Sequence, residues 1–91
     1  MKYIVKVTTQ FKKDLKLAKK QHKDIDELFY VIEKLSNGEK LETKYRDHQM
    51  TNLGSLRNCH IQPDWILLYE YYDDVSVMVL YRIGSHSALL K

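Results

Sequence analysis

The chain is poor in cysteine and in apolar runs, and each shortage excludes a class of protein. Its 91 residues contain one cysteine, Cys59, which excludes an internal disulfide and fits a reducing compartment. No stretch approaches the ~20 consecutive apolar residues that span a bilayer. Residues 1–10 alternate in polarity, whereas a signal peptide has an apolar block after a basic start. Because repeats, low-complexity tracts and linkers are also missing, we expect one cytoplasmic domain over residues 1–91, with no membrane partner.

The spacings typical of a metal site are missing as well. Neither Cys-x-x-Cys nor His-x₃-His occurs in the sequence. Cys59 and His60 are consecutive in a predicted strand, so their side chains should point to opposite faces and not share one ion. The sequence therefore predicts no metal and no cofactor.

The net charge of +3 conceals a strongly basic N-terminal segment. Residues 1–23 carry eight lysines and one acid, Asp14, for a charge of +7, whereas residues 24–91 carry seven bases and eleven acids, for −4. Such a basic block can hold RNA phosphates without reading their sequence. The alternative, with equal weight, is a solvated face of a lysine-rich helix. The first interpretation assigns RNA or ribosome binding to Lys12, Lys13, Lys16, Lys19 and Lys20.

Periodicity predicts a strand and two helices in the first half of the chain. Residues 2–8 alternate as a short strand, and Thr8 or Thr9 can cap a helix that runs to about Gln21. Asp24, with Glu27 three residues later, resembles a capping box that opens a second helix. Asn37-Gly38 is typical of its end. The apolar positions of this second helix are predicted to be Ile25, Leu28, Phe29, Ile32 and Leu35.

The second half of the chain predicts an antiparallel meander. Residues 39–53 are polar and irregular, after which residues 56–61, 65–72 and 75–83 alternate as three strands joined by tight turns. The fold is therefore predicted to be α+β, with a helix hairpin packed on one face of a four-stranded sheet. The other face is left open for a substrate.

Three of the four histidines lie in polar, turn-rich segments of the second half. These are His48, His60 and His86, and Asp64 and Arg82 accompany them. Histidine changes charge near neutral pH, so such a group suggests proton transfer or metal binding. Arginine and aspartate beside the histidines suit phosphodiester cleavage better than a zinc site.

Four segments together resemble the RelE/ParE superfamily of bacterial toxins, and within it the YafQ branch of ribosome-dependent mRNA endoribonucleases. They are Lys16–Asp24, Tyr45–His48, Cys59–Tyr69 and Arg82–Leu89. The resemblance implies a two-layer sandwich with its helices on one sheet face. It also implies a toxin that binds the vacant decoding site of the ribosome, cleaves mRNA there, and is held inactive in a complex with a cognate antitoxin.

The resemblance gives catalytic positions to His48, His60, Asp64, Arg82 and His86. We expect His48 to act as general base and His86 as general acid, with exchanged roles as the alternative. Asp64 is expected to orient an imidazole or to act as base itself, and Arg82 to stabilise phosphoryl charge. For each of these residues an alternative without a catalytic role stays open. It is a surface histidine in a loop for His48, a strand-end histidine for His60, a turn aspartate for Asp64, a frayed terminus for His86, and an ion pair with Glu70 for Arg82.

Other residues receive weaker assignments. The resemblance makes Trp65 and Leu90 RNA-contact positions. Trp65 is nevertheless expected mainly in the core, and Leu90 replaces the aromatic residue that YafQ-like chains often carry near the C-terminus. Tyr45 and Tyr72 are predicted to be exposed, and Arg57 to lie on the face opposite His60.

Two rival functions belong to other classes. A ParE-like toxin of the same fold would inhibit a protein such as DNA gyrase without cleaving RNA, but it would need no set of histidines around one sheet face. A plain nucleic-acid-binding domain would show salt-sensitive affinity and no cleavage.

Overall fold

The structure is a computed structural model that describes residues 2–50 and 54–89. Within these residues two helices follow the first strand, and a four-strand meander and a short third helix come after them. The strands are β1 (Ile4–Val7), β2 (His48–Gln49), β3 (Arg57–Gln62), β4 (Trp65–Tyr72) and β5 (Val77–Gly84); the helices are α1 (Thr9–Lys20), α2 (Ile25–Ser36) and α3 (His86–Leu89).

The sheet has five strands in the order β1-β5-β4-β3-β2. β1 is parallel to β5, and the other pairs are antiparallel. The helices α1 and α2 carry the chain from β1 to β2, at the opposite edge of the sheet. The four-stranded prediction was wrong by one strand: β2 lies within the segment predicted to be irregular. A two-residue strand shows no alternation, so periodicity could not reveal it.

One hydrophobic core lies between the sheet and the two long helices, as predicted. Its fully buried side chains include Leu28, Val31, Leu35, Cys59, Leu67, Tyr69, Met78 and Leu80. Phe29 was wrongly placed on the buried stripe, since it is 49% exposed and Val31 takes its place. Adjacent helical residues are separated by ~100° around the axis, so Leu28 and Phe29 cannot both face the sheet.

Side chains cap both long helices at the predicted residues. Thr8 Oγ1 accepts the Phe11 N–H at 2.9 Å and donates to the Tyr81 carbonyl at 2.8 Å, so it also ties α1 to β5. Asp24 accepts the Glu27 N–H at 3.0 Å. The Glu27 carboxylate instead accepts the Tyr45 hydroxyl at 3.1 Å, so only half of a capping box forms.

Replacing Thr8 by Ala should destabilise the fold by about 1 kcal/mol, because the cap of α1 is lost. The measurement is the urea midpoint of Thr8→Ala, compared with that of the neighbouring Thr9→Ala. Thr9 lies inside α1 and is exposed. Equal midpoints for the two variants would contradict a capping role for Thr8.

A bulge in β5 changes the expected orientation of Arg82. Leu80 pairs with Tyr69, and Arg82 pairs with Leu68, so Tyr81 is an extra residue on this strand. Directly paired residues share a sheet face, and Leu68 and Tyr69 are on opposite faces. The prediction that Arg82 lies on the face of Leu80 was therefore wrong, and Ile83 takes the core position instead.

The two hairpins differ in length. Pro63 and Asp64 form the predicted tight turn between β3 and β4. The second connection is longer than the predicted Asp73-Asp74 turn, because a 3-10 turn over Asp73–Val75 is followed by Ser76 at φ 53°.

Candidate active site

Asp64 and His86, 22 positions apart in sequence, meet at one end of the sheet. One carboxylate oxygen of Asp64 accepts both the backbone N–H of His86, at 3.0 Å, and its Nδ1–H, at 2.9 Å. Both side chains stay exposed. Asp64 therefore fixes the ring of His86 and leaves Nε2 as the nitrogen that can exchange a proton. Of the two roles predicted for Asp64, the geometry favours orienting an imidazole.

The contacts with His86 hold the pKa of Asp64 below its usual value. The hydrogen bond from the His86 backbone N–H contributes most, the bond from its side chain comes next, and the charges of His86 and Lys23 add to both. Asp64 should therefore titrate below its ordinary value of about 3.9, as followed by carboxyl-carbon NMR.

Replacing His86 by Ala should raise the pKa of Asp64 partway towards the ordinary value. The backbone N–H of residue 86 remains, but the imidazole is lost. The control is Ser87→Ala, at an exposed neighbour in α3, which should leave the pKa of Asp64 as low as in the wild type. An unchanged Asp64 titration in His86→Ala would contradict the contact between the side chains.

His60 lies beside His86. The centroids of the two rings are 5.3 Å apart with a tilt of 58°, and Nδ1 of His60 lies 3.2 Å from the Pro63 carbonyl oxygen. The tight turn after β3 places Pro63 there. Asp64, the next residue of the turn, bonds to the other histidine, His86.

His48 completes the group from the edge strand. Nδ1 of His48 lies 2.7 Å from the Arg46 carbonyl oxygen. His48 pairs with Asn58, two residues before His60 on β3, so both histidines lie on the same face. Diagonal neighbours of this kind are about 7–8 Å apart.

All three imidazoles are therefore anchored in the same way. In each, Nδ1 faces an oxygen that only accepts hydrogen bonds: a carbonyl for His48 and His60, and a carboxylate for His86. Nδ1 then carries the proton, and Nε2 carries the lone pair that can take up another. Proton donors and acceptors thus lie together at the end of one sheet face.

Arg82 is held by Asp14 of α1, and not by Glu70 as the alternative interpretation proposed. Nε and Nη2 of Arg82 bond to the two carboxylate oxygens at 3.0 Å each. Asp14 is 9% exposed and also accepts the Ile83 N–H at 3.2 Å. Burial acts to raise the pKa of Asp14, but hydrogen bonds from Arg82, Gln10 and Ile83 outweigh it and leave that pKa lowered.

Two cavities flank the histidines. One, of about 360 Å³, is lined by Asp14, Lys23, Asp64, Trp65 and Arg82 among others. The second, of about 390 Å³, is lined by residues that include Glu27, Lys44, Tyr45, Arg46 and His60. Neither Arg46 nor Asp14 was predicted to belong to the site. The sequence did contain an indication for Asp14, because an acidic residue between Phe11 and Ala18 on the apolar stripe of a helix indicates a buried ion pair.

The remaining predicted positions are divided between surface and core. The five lysines of α1 are all exposed, as the RNA-binding and the solvated-face interpretations both require. Trp65 is 2% exposed and belongs to the core, and Leu90 lies outside the described residues. The prediction that Tyr45 is exposed was wrong, because its ring is buried, whereas Tyr72 is exposed. Arg57 bonds to Tyr69 and Asp47 instead of reaching the histidines.

Two further features are absent from residues 2–50 and 54–89. No group of three or more histidine, cysteine, aspartate or glutamate side chains is arranged to hold a metal ion. Among the helices of this part of the chain, none has the length and apolar character needed to cross a membrane.

Residues 3–91 match the model of a family described as the bacterial toxin of type II toxin-antitoxin systems, YafQ. The chain belongs to this family. An mRNA interferase toxin YafQ of Escherichia coli (strain B / BL21-DE3) is 38% identical over 87 residues, which cover 93% of this chain and 92% of the relative. The predicted resemblance is confirmed.

Solved structures support the same assignment and the α+β fold. The E. coli DinJ-YafQ toxin-antitoxin complex contains a chain that matches with a TM-score of 0.89 and 34% identity, over 100% of both chains. A metal-bound toxin from Helicobacter pylori matches with a TM-score of 0.92 and 34% identity, over 97% of this chain and 99% of that one.

Proposed function

We propose that this toxin is an mRNA interferase, an endoribonuclease that cuts mRNA in the decoding site of the ribosome and so inhibits translation. The observation that carries the proposal is the set of three imidazoles, each anchored through Nδ1 at one end of the sheet. Family membership and the mRNA interferase relatives support the same activity.

The cleavage uses the RNA's own 2′-hydroxyl as nucleophile. Nε2 of His48 accepts the 2′-hydroxyl proton, the 2′-oxygen attacks the adjacent phosphorus, and the bond to the 5′-oxygen breaks. For this step His86 must carry a proton on both ring nitrogens: Nε2, protonated from solvent, donates to the leaving oxygen while Nδ1–H stays on Asp64, and the products are a 2′,3′-cyclic phosphate and a 5′-hydroxyl. Positioned acid–base groups of this kind typically contribute ~10²–10⁴-fold.

The other site residues orient His86 and stabilise the charge on the phosphoryl oxygens. Asp64 holds His86 in the tautomer that exposes Nε2, as a carboxylate does for a catalytic histidine. The half-exposed Arg82 supplies positive charge and hydrogen bonds to the phosphoryl oxygens, and His60, beside His86, adds a hydrogen bond when its Nε2 has taken up a proton. No metal ion takes part in this scheme.

The proposed partners follow from charge and from the relatives. The exposed lysines of α1 contact ribosomal RNA phosphates. A cognate antitoxin inhibits the toxin in a complex, as the E. coli DinJ-YafQ structures support. Inhibition takes place either by covering the basic helix or by displacing the C-terminal segment. Such a toxin acts in the cytoplasm.

The test adds purified toxin to ribosomes stalled on a defined mRNA and maps the ends of the products. We expect codon-positioned cuts ending in 2′,3′-cyclic phosphate, and none on an mRNA with a 2′-O-methyl group at the cut position. Ribosomes need magnesium, so metal dependence is tested with chelators selective for transition metals. Intact mRNA beside bound toxin would overturn the proposal and make DNA gyrase the next target to assay.

A further inference from the structure

The cavity beside His60 is lined by more cationic than acidic side chains. Lys44, Arg46 and His60 line it together with one acid, Glu27. The Glu27 carboxylate is already engaged by the Tyr45 hydroxyl at 3.1 Å and by the Lys44 ammonium at 3.9 Å. Arg46 is exposed and forms no ion pair with any residue within 2–50 or 54–89.

Arg46 is connected to the histidine cluster through its own backbone. It adopts φ 48° and ψ 41°, a left-handed conformation that is uncommon for residues other than glycine and asparagine. In that conformation its carbonyl oxygen accepts the Nδ1–H of His48. The residue that anchors one histidine therefore also lines a cavity beside another.

A single strand of RNA carries one phosphate per nucleotide, so an RNA held at the histidines has a further phosphate on each side of the scissile one. A planar guanidinium suits phosphate oxygens, which it can contact through two parallel hydrogen bonds. We propose that this cavity binds the mRNA phosphate next to the scissile one, with Arg46 as the main ligand and Lys44 as the second. The proposal rests on the proposed function, because it takes the histidine cluster as the site of the cut.

The test is a double-mutant cycle between the protein and the RNA. Arg46→Asn removes the charge and keeps a residue that tolerates the left-handed backbone. Lys6→Gln is the control, since exposed Lys6 lies on β1, at the opposite edge of the sheet from β2. On the RNA side, a methylphosphonate replaces each of the two phosphates that flank the scissile position, one at a time.

With unmodified mRNA we expect Arg46→Asn to raise KM about tenfold while kcat changes little, since a charged hydrogen bond to substrate is lost. Lys6→Gln should leave KM unchanged. At one of the two flanking positions, the methylphosphonate should raise the KM of the wild-type toxin and have no further effect on the KM of Arg46→Asn. Arg46→Lys should recover part of the lost affinity.

Additive losses at both flanking positions would overturn the proposal and assign Arg46 to a ribosomal RNA phosphate. Equal KM values for Arg46→Asn and wild type would overturn it outright. The same cycle is also measured as affinity for ribosomes that carry the 2′-O-methyl mRNA, which cannot be cut. A wild-type toxin that binds without cutting any mRNA would refute the proposed function, yet the affinity cycle would still report on Arg46.

Discussion

The variant His86→Ala is expected to cut ribosome-bound mRNA roughly 10²–10⁴-fold more slowly than the wild type, which is the usual contribution of a positioned proton donor. His86 is the proposed donor to the leaving 5′-oxygen, and its ring is oriented by the Asp64 carboxylate at 2.9 Å. The measurement is single-turnover cleavage on programmed ribosomes. Because chemistry alone should be affected, the affinity of the toxin for the ribosome should stay close to that of the wild type.

The matched control is Ser87→Ala, one residue further along α3. Ser87 is exposed, and its hydroxyl contacts only the hydroxyl of Ser85 among the described residues, at 3.2 Å. Near wild-type cleavage by this variant would exclude a general disturbance of α3. Full activity of His86→Ala would contradict the proposed acid, and persistent toxicity without cleavage would favour a ParE-like mode of action.

A pH profile separates the proton-transfer role of His86 from a positioning role. The wild-type cleavage rate is expected to fall at both low and high pH. If His86 exchanges a proton in the reaction, one of these two falls should be missing in His86→Gln. A histidine that only fills space would lower the rate at every pH without changing the shape of the profile. The variant His48→Gln should lack the other fall in rate, and the two variants together then show which histidine is the base and which is the acid.

The parts of the fold that the sequence predicted correctly depend on local patterns. The 3.6-residue period and the caps at Thr8 and Asp24 gave both long helices nearly to the residue. The tight turn at Pro63-Asp64 was recognisable from turn chemistry. These features depend on residues within a few positions of one another.

The parts that could not be predicted depend on long-range packing. An extra residue such as Tyr81 leaves no mark on the alternation of a strand, yet it moves Arg82 to the other face. The contacts of Asp64 with His86, and of Asp14 with Arg82, join residues that are 22 and 68 positions apart. Motif likeness named His86 and Arg82 as site residues, but only the folded chain shows which carboxylate holds each of them.

Replacing Asp14 by Ala is expected to lower both stability and activity. The change leaves the Arg82 guanidinium and the Ile83 N–H without the acceptor they share, and the loss of such a partner costs about 1–3 kcal/mol. Asp14 also provides a hydrogen-bond acceptor at the edge of the sheet. β1 pairs with β5 only as far as Leu80, and beyond that point the Ile83 N–H of β5 donates to Asp14. Urea unfolding gives the first effect, and kcat on programmed ribosomes gives the second.

Glu33→Ala is the control for charge alone, since Glu33 is an exposed acid on α2. Its stability should stay within about 0.5 kcal/mol of the wild type. Asp14→Asn should lie between wild type and Asp14→Ala, because its amide oxygen still accepts one hydrogen bond. Wild-type kcat in Asp14→Ala would show that Arg82 needs no positioning by α1.

The pH dependence of stability gives a separate check on the same residue. The pKa of Asp14 is lower in the folded protein than in the unfolded chain, so its carboxylate contributes stability above the unfolded pKa, near 4. That contribution is lost as the pH falls through the lowered folded pKa. Asp14→Ala should therefore be less stable than wild type at neutral pH, with a difference that narrows on acidification. A difference that stays constant down to low pH would mean that Asp14 acts through packing and not through its charge.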